Sequence, residues 1–241
     1  MKKWQKLLLI AAFAFAFLGS IILNTPAWIV GTLVYKYSQH KLDTINEQGT
    51  FWNGQAMLIA IDKEGKTSVP LMVMGWKIKL GLSKFININF SASNQTIADA
   101  SLTKSGLEVS NVNLSLSLDQ LTPLVDNLNS LSLSGNVHLT APKLLVSKKM
   151  QGNIDVKLDN VASGMAPVNP IGSYHVALDL SNLGINIDST PDSTITVEGN
   201  GNINGLVLRS RVKEDKKEQL LQFMTMLGIP QADGSYQFKV F

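Results

Sequence analysis

A long uncharged apolar segment near the N-terminus constrains the fold of this chain more than any other sequence feature. No charged side chain occurs between Lys6 and Lys36, and residues 7–23 read LLLIAAFAFAFLGSIIL. A helix rising ~1.5 Å per residue over residues 7–25 would span the hydrocarbon core of a bilayer, which is ~30 Å thick. We therefore predict a single transmembrane helix over residues 7–25.

The segment is interpreted as a retained anchor and not as a cleaved signal peptide. A signal peptide has an apolar core of ~7–15 residues followed by a cleavage site of small residues. Here the apolar run is longer, and the candidate site Thr25-Pro26-Ala27 contains a proline and is followed by Trp28.

The charges indicate an orientation and argue against nucleic-acid binding. The net charge is +3, but the first 36 residues hold four lysines and no acid, which leaves 17 basic and 18 acidic residues in the remainder. A basic patch that follows phosphates is therefore not supported. The positive-inside rule places residues 1–6 in the cytoplasm and the rest of the chain, beyond the helix, in the periplasm of a bacterium.

Alternation of apolar and polar residues with a period of two dominates the rest of the chain, for example over residues 112–118 and 174–180. Strands of this kind have one apolar and one solvated face, which is typical of antiparallel sheets. Between Val109 and Val112 the alternation slips by one residue, which predicts a bulge near Ser110-Asn111.

Helical periodicity appears at three places along the chain. A short amphipathic helix is predicted after Pro26, and apolar residues at helical spacing over 121–128 and 220–227 predict two more. Gly228 and Pro230 follow the last of these and favour its end there.

The predicted fold is mainly β, with one N-terminal transmembrane helix followed by one strongly twisted, curled antiparallel sheet and a few short helices. The predicted parts are a cytoplasmic N-terminus (1–6), the transmembrane helix (7–25), a periplasmic helical linker (26–43) and a periplasmic β domain (44–241).

Residues capable of catalysis or metal binding do not cluster in the sequence. The three histidines, His40, His138 and His175, are far apart and show no spacing typical of metal ligands. The chain has no cysteine, which excludes thiol nucleophiles and cysteine metal sites. The carboxylates that could meet in space are Asp155, Asp188, Asp192 and Glu198. Carboxylates beside Gly, Ser and Asn are commonly turn residues, so we predict no enzyme activity, metal or cofactor.

Short motifs spread in order along the chain carry a family resemblance. The most specific is the hexapeptide Gly49-Thr50-Phe51-Trp52-Asn53-Gly54. The motif residues, which are also possible interaction residues, are Pro26, Gly49, Thr50, Trp52, Gly54, Trp76, Gly228, Pro230 and Tyr236. In these the chain resembles the general secretion pathway protein N family, an accessory component of the bacterial type II secretion system.

The resemblance implies a single-pass inner-membrane protein with a periplasmic domain. It also implies participation in export of folded proteins across the outer membrane, without known catalytic residues or cofactor. Two interpretations of Trp52 and Trp76 stay open. They could be core residues that bury a large apolar area, which we favour, or a docking surface for another periplasmic component.

Two functions compete. In the first, the chain is a non-catalytic scaffold that contacts other inner-membrane or periplasmic secretion subunits through a sheet edge or exposed patch, while the helix lies in the lipid bilayer. In the alternative, it is a periplasmic lipid-binding or lipid-transfer protein with an AsmA-like hydrophobic β groove lined by residues such as 112–118 and 154–158. A hydrolase would need an acid–base or nucleophile cluster that the sequence does not show.

Overall fold

Two helices precede the β sheet of this chain. The computed structural model describes residues 3–62, 65, 68–82, 84–122, 130–202 and 204–239. Helix α1 (Lys3–Leu23) contains the apolar segment, and its part from Trp4 to Leu23 is long and apolar enough to cross a membrane. Helix α2 (Trp28–Tyr37) lies inside the predicted linker.

A single sheet follows, which within the described residues has 14 strands. The strands are β1 (Leu42–Gly49), β2 (Asn53–Ile61), β3 (Ser68–Leu80), β4 (Ile86–Ala92), β5 (Gln95–Thr103), β6 (Gly106–Ser117), β7 (Leu133–Val146), β8 (Met150–Ser163), β9 (Gly172–Asp179), β10 (Gly184–Ser189), β11 (Ile195–Asn202), β12 (Gly205–Val212), β13 (Ile229–Pro230) and β14 (Tyr236–Lys239). Their order in the sheet follows the chain, except that β14 lies between β12 and β13. Every pair is antiparallel. A mainly β fold with one antiparallel sheet is therefore confirmed.

Within the described residues, two further α-helices lie between the strands. Helix α3 (Leu118–Leu121) begins with a capping box, in which Ser117 and Gln120 satisfy each other's main-chain donors. Most of the helix predicted over 121–128 lies outside the described residues. Helix α4 (Lys217–Leu227) coincides with the helix predicted over 220–227 and is preceded by a 3-10 turn (Glu214–Lys216).

Helix α2 packs against the first strands. Ala27 and Val30 contact the cluster formed by Ala56 and Trp76. The approach is so close that a Cβ on Gly31 would overlap the Thr44 hydroxyl oxygen. A glycine at this place therefore lets the helix lie directly on β1.

Helix α4 covers the same apolar face over the C-terminal strands. Leu220 and Met224 are fully buried, and the surrounding cluster includes Val137 from β7, Ile195 from β11 and Tyr236 from β14. Burial of a large aliphatic side chain contributes roughly 1.5–3 kcal/mol, so this cluster is a main source of stability for the C-terminal half.

Two details of the sheet differ from the sequence expectation. The strong curl is not confirmed, since the sheet is not strongly curled. Helices α2 and α4 cover parts of its apolar face, and these parts are buried without curling. At the predicted bulge, Asn111 has a φ of 54°, yet the register of β6 against β7 is the same on both sides of it. In both strands the apolar side chains change from odd to even positions, or the reverse, at this point. The two strands therefore keep their apolar side chains on the same face without a register shift.

Candidate interaction surface at the joint between helix and sheet

The hexapeptide at residues 49–54 forms the turn that connects β1 to β2. The Thr50 main-chain N–H donates to the Asn53 carbonyl at 2.9 Å. Gly49 has a φ of +89°, and a Cβ there would lie 2.5 Å from the Asn53 carbonyl oxygen. The turn therefore requires glycine at its first position.

This turn is bonded to the chain that leaves α1. Pro26 and Thr50 form an isolated antiparallel bridge, and the Phe51 main-chain N–H donates to the Thr25 carbonyl at 2.7 Å. The Trp52 indole N–H donates to the Ile22 carbonyl in the last turn of α1 at 2.8 Å. Three contacts in a row thus fix the end of the apolar helix to the start of the sheet.

Trp76 on β3 packs against the turn and is hydrogen-bonded to it. Its side chain is only 2% exposed, and its indole N–H is directed to the carbonyls of Phe51 (3.0 Å) and Thr50 (3.3 Å). A Cβ on Gly54 would come within 2.6 Å of the Trp76 ring. This burial favours the core interpretation for Trp76, whereas Trp52 is half-buried. We call residues 22–26, 49–54 and 76 the joint.

The C-terminal motif residues lie elsewhere. Pro230 pairs with Tyr236 between β13 and β14, and a Cβ on Gly228 would meet the Phe238 ring at 2.7 Å. Tyr236 is buried in the cluster under α4. The structure therefore brings six predicted residues together at the joint and leaves Gly228, Pro230 and Tyr236 beyond β12, toward the other edge of the sheet. The six are Pro26, Gly49, Thr50, Trp52, Gly54 and Trp76.

Strand β1 forms one edge of the sheet beside the joint. It pairs with β2 on one side, and no strand among the described residues pairs with its other side. Its register shifts between Ile45 and Gln48, where Asn46 has a φ of 57°. An edge strand carries main-chain groups that can pair with another chain.

The ionisable residues described on the polar face form small groups of two or three side chains. His175 lies between Asp155 (Nε2 to Oδ1, 3.0 Å) and Asp188 (Nδ1 to Oδ2, 3.5 Å). His138 contacts the Ser115 hydroxyl at 2.8 Å. Within the part of the chain that the structure describes, no group of three or more His, Asp or Glu is arranged to hold a metal ion.

The sequence does not predict two features of this region. Strand β1, beside the joint, has no regular alternation in its sequence LDTINEQG. The acceptors for the two tryptophans are main-chain carbonyls of Ile22, Thr50 and Phe51. Main-chain acceptors leave no side-chain signal, so the sequence predicted the tryptophans without their partners.

These observations define a class of protein with one apolar helix of membrane length bonded at its end to a large antiparallel sheet. Residues 45–239 match the family model described as Type II secretion system (T2SS), protein N. The chain belongs to the type II secretion system protein N family. Searches of curated proteins and of solved structures give no match.

Proposed function

We propose that the chain is an accessory inner-membrane component of a bacterial type II secretion system and acts as a non-catalytic scaffold. The observation that carries this proposal is the joint. Three hydrogen-bonded or bridged contacts hold the sheet against the end of α1, so a sheet attached in this way stays at the membrane surface. Family membership supports contact with other secretion components.

The proposed orientation follows from charge. Lys2, Lys3 and Lys6 precede the apolar segment that begins at Leu7, and no acid occurs before Asp43. The positive-inside rule then favours a cytoplasmic N-terminus, a single pass and a periplasmic sheet.

Strand β1 is the proposed contact for a partner subunit. No described strand pairs with its outer side, and it lies next to the joint, where other membrane-anchored subunits would lie. The Leu42 and Thr44 main-chain N–H groups donate to the Ser38 and Asp43 side chains, so a partner strand would take their place. An added strand gains its affinity from main-chain hydrogen bonds along such an edge. No observation among the described residues favours the lipid-carrier alternative, and we do not propose it.

Deletion of the gene tests the function. Type II substrates should then accumulate in the periplasm, while their passage across the inner membrane continues, and the full chain supplied in trans should restore export. Export at the wild-type rate in the deletion strain would contradict the proposal.

Site-specific photocrosslinking tests the proposed edge. A photoreactive residue replaces Asn46 on the β1 edge, and a matched variant carries it at Asn113, which is exposed in the interior strand β6. Crosslinks to another secretion subunit from position 46 and not from position 113 are expected. Crosslinks from position 113 alone would place the partner on the polar face of the sheet instead.

A further inference from the structure

Half of the hairpin turns lie at the same end of the sheet as the joint. Because successive strands are antiparallel neighbours in chain order, every second turn returns to the end where residues 50–52 contact α1. We call this end the joint end. The described residues of its other turns are 81–82, 84–85, 104–105, 147–149, 180–183 and 204.

The hairpin turns at the two ends carry opposite charge. By sequence, the joint-end turns contain four lysines and no acid: Lys84, Lys104, Lys148 and Lys149. Among the described residues, the turns at the opposite end, between neighbouring strands from β2 to β11, contain three acids and no lysine: Asp62, Asp119 and Asp192. The hairpin turns are therefore polarised, with their positive charge at the end that contacts the apolar helix.

Apolar side chains accompany these lysines. One cross-strand row on the apolar face runs along the joint end from β3 to β8 and consists of Leu80, Ile86, Leu102, Leu107, Val146 and Met150. Leu80 is 70% exposed and Met150 is 55% exposed. In the turn at 81–85, Leu82 is fully exposed and Phe85 is also exposed.

We propose that the joint end between β3 and β8 rests on the surface of the membrane that α1 enters, with its lysines on anionic phospholipid headgroups. Lysines beside exposed leucine and phenylalanine fit the membrane interface, because each Lys near an anionic surface is attracted to it and apolar side chains enter the headgroup boundary. The end of α1 is already bonded to this end of the sheet, so the contact continues from the anchor. The inference rests on the proposed membrane placement of α1.

The chain has no cysteine, so a single introduced cysteine can report the depth of one residue. Leu82→Cys in the full chain is labelled with a fluorophore in nanodiscs of phosphatidylcholine and phosphatidylglycerol that contain headgroup-level nitroxide lipid. Leu23→Cys at the end of α1 is the reference for membrane insertion. Asp192→Cys, in an opposite-end turn, is the matched control.

The expected result is strong quenching at positions 23 and 82 and none above background at position 192. Quenching at 23 with only background at 82 would overturn the inference and leave the anchor intact. Background at both positions would overturn the inference and the anchor together.

A charge reversal separates headgroup binding from an apolar contact. Lys84 already pairs with Glu108 at 3.4 Å, so Lys104→Glu, Lys148→Glu and Lys149→Glu are combined instead. Loss of quenching at position 82, both in this variant and in nanodiscs without phosphatidylglycerol, is expected. Undiminished quenching in both would overturn the anionic headgroup as the partner.

Discussion

The indole N–H of Trp52 donates to the main-chain carbonyl of Ile22 at 2.8 Å, across a sequence separation of 30 residues. The last carbonyls of a helix have no partner within the helix. Here the Ile22 carbonyl accepts from the Thr25 hydroxyl at 2.8 Å as well as from the Trp52 indole of the β1–β2 turn, where the chain leaves the apolar helix. The bond therefore ties the orientation of the helix to the sheet.

Replacing Trp52 with phenylalanine removes this bond and keeps an aromatic ring. We expect Trp52→Phe to lower the free energy of unfolding by about 1 kcal/mol, the usual net contribution of a hydrogen bond. Denaturant unfolding of the detergent-solubilised full chain measures it. Trp28→Phe makes the same change at a tryptophan that is 58% exposed and is expected to have little effect. Equal losses in both variants would show that the bond to Ile22 contributes nothing.

Gly54→Ala tests the packing beneath the turn. The added Cβ would lie 2.6 Å from both the Trp76 ring and the Gln48 carbonyl oxygen, and the latter cannot move without distorting β1. Overpacking of this kind typically costs about 1–3 kcal/mol. Gly205→Ala is the control, because its Cβ would meet nothing within 4 Å. The lower midpoint of thermal unfolding should appear in Gly54→Ala alone, and unchanged stability there would refute the contact.

Local sequence patterns predicted much of the fold because their physical causes are local. The apolar run predicted α1, the alternation predicted an antiparallel sheet, and residues 220–227 predicted α4. The strong curl was not confirmed, because coverage of the apolar face depends on where α2 and α4 pack and not on the strands alone. At the joint, Trp52 and Gly54 were predicted as motif residues, but their partners lie far away in sequence and are mostly main-chain atoms.

Tyr174 makes the stability of the fold decrease at alkaline pH. Burial raises the pKa of its phenol, which donates to the Ile195 carbonyl at 3.0 Å. The unfolded chain ionises this group near pH 10 while the folded chain keeps its proton, so stability decreases as pH rises above about 10. Tyr174→Phe should weaken that decrease. Unfolding free energies from about pH 8 to about pH 11, on either side of the unfolded pKa, measure it. Identical slopes in both proteins would contradict the assignment.

Asp233 makes the stability of the fold depend on pH in the acidic range. Hydrogen bonds from the Ser235 hydroxyl and main-chain N–H, and then from Arg211, lower the pKa of Asp233 to about 2. Its contribution to stability is therefore present above the ordinary Asp pKa of about 3.9 and is lost as pH falls toward about 2. Asp233→Asn should reduce the acid sensitivity of unfolding in this range. A carboxyl titration by NMR with an ordinary midpoint for Asp233 would contradict the account.

If the sheet acts only when it is attached to the membrane, export in a strain that lacks the gene should depend on α1. The strain receives either the full chain or a version in which α1 is replaced by a cleavable signal peptide, and the amounts of both proteins are checked by immunoblot. The measured quantity is the ratio of extracellular to periplasmic type II substrate. We expect the full chain to restore this ratio and the released sheet, at equal abundance, to leave it unrestored. Full restoration by the released sheet would contradict this expectation.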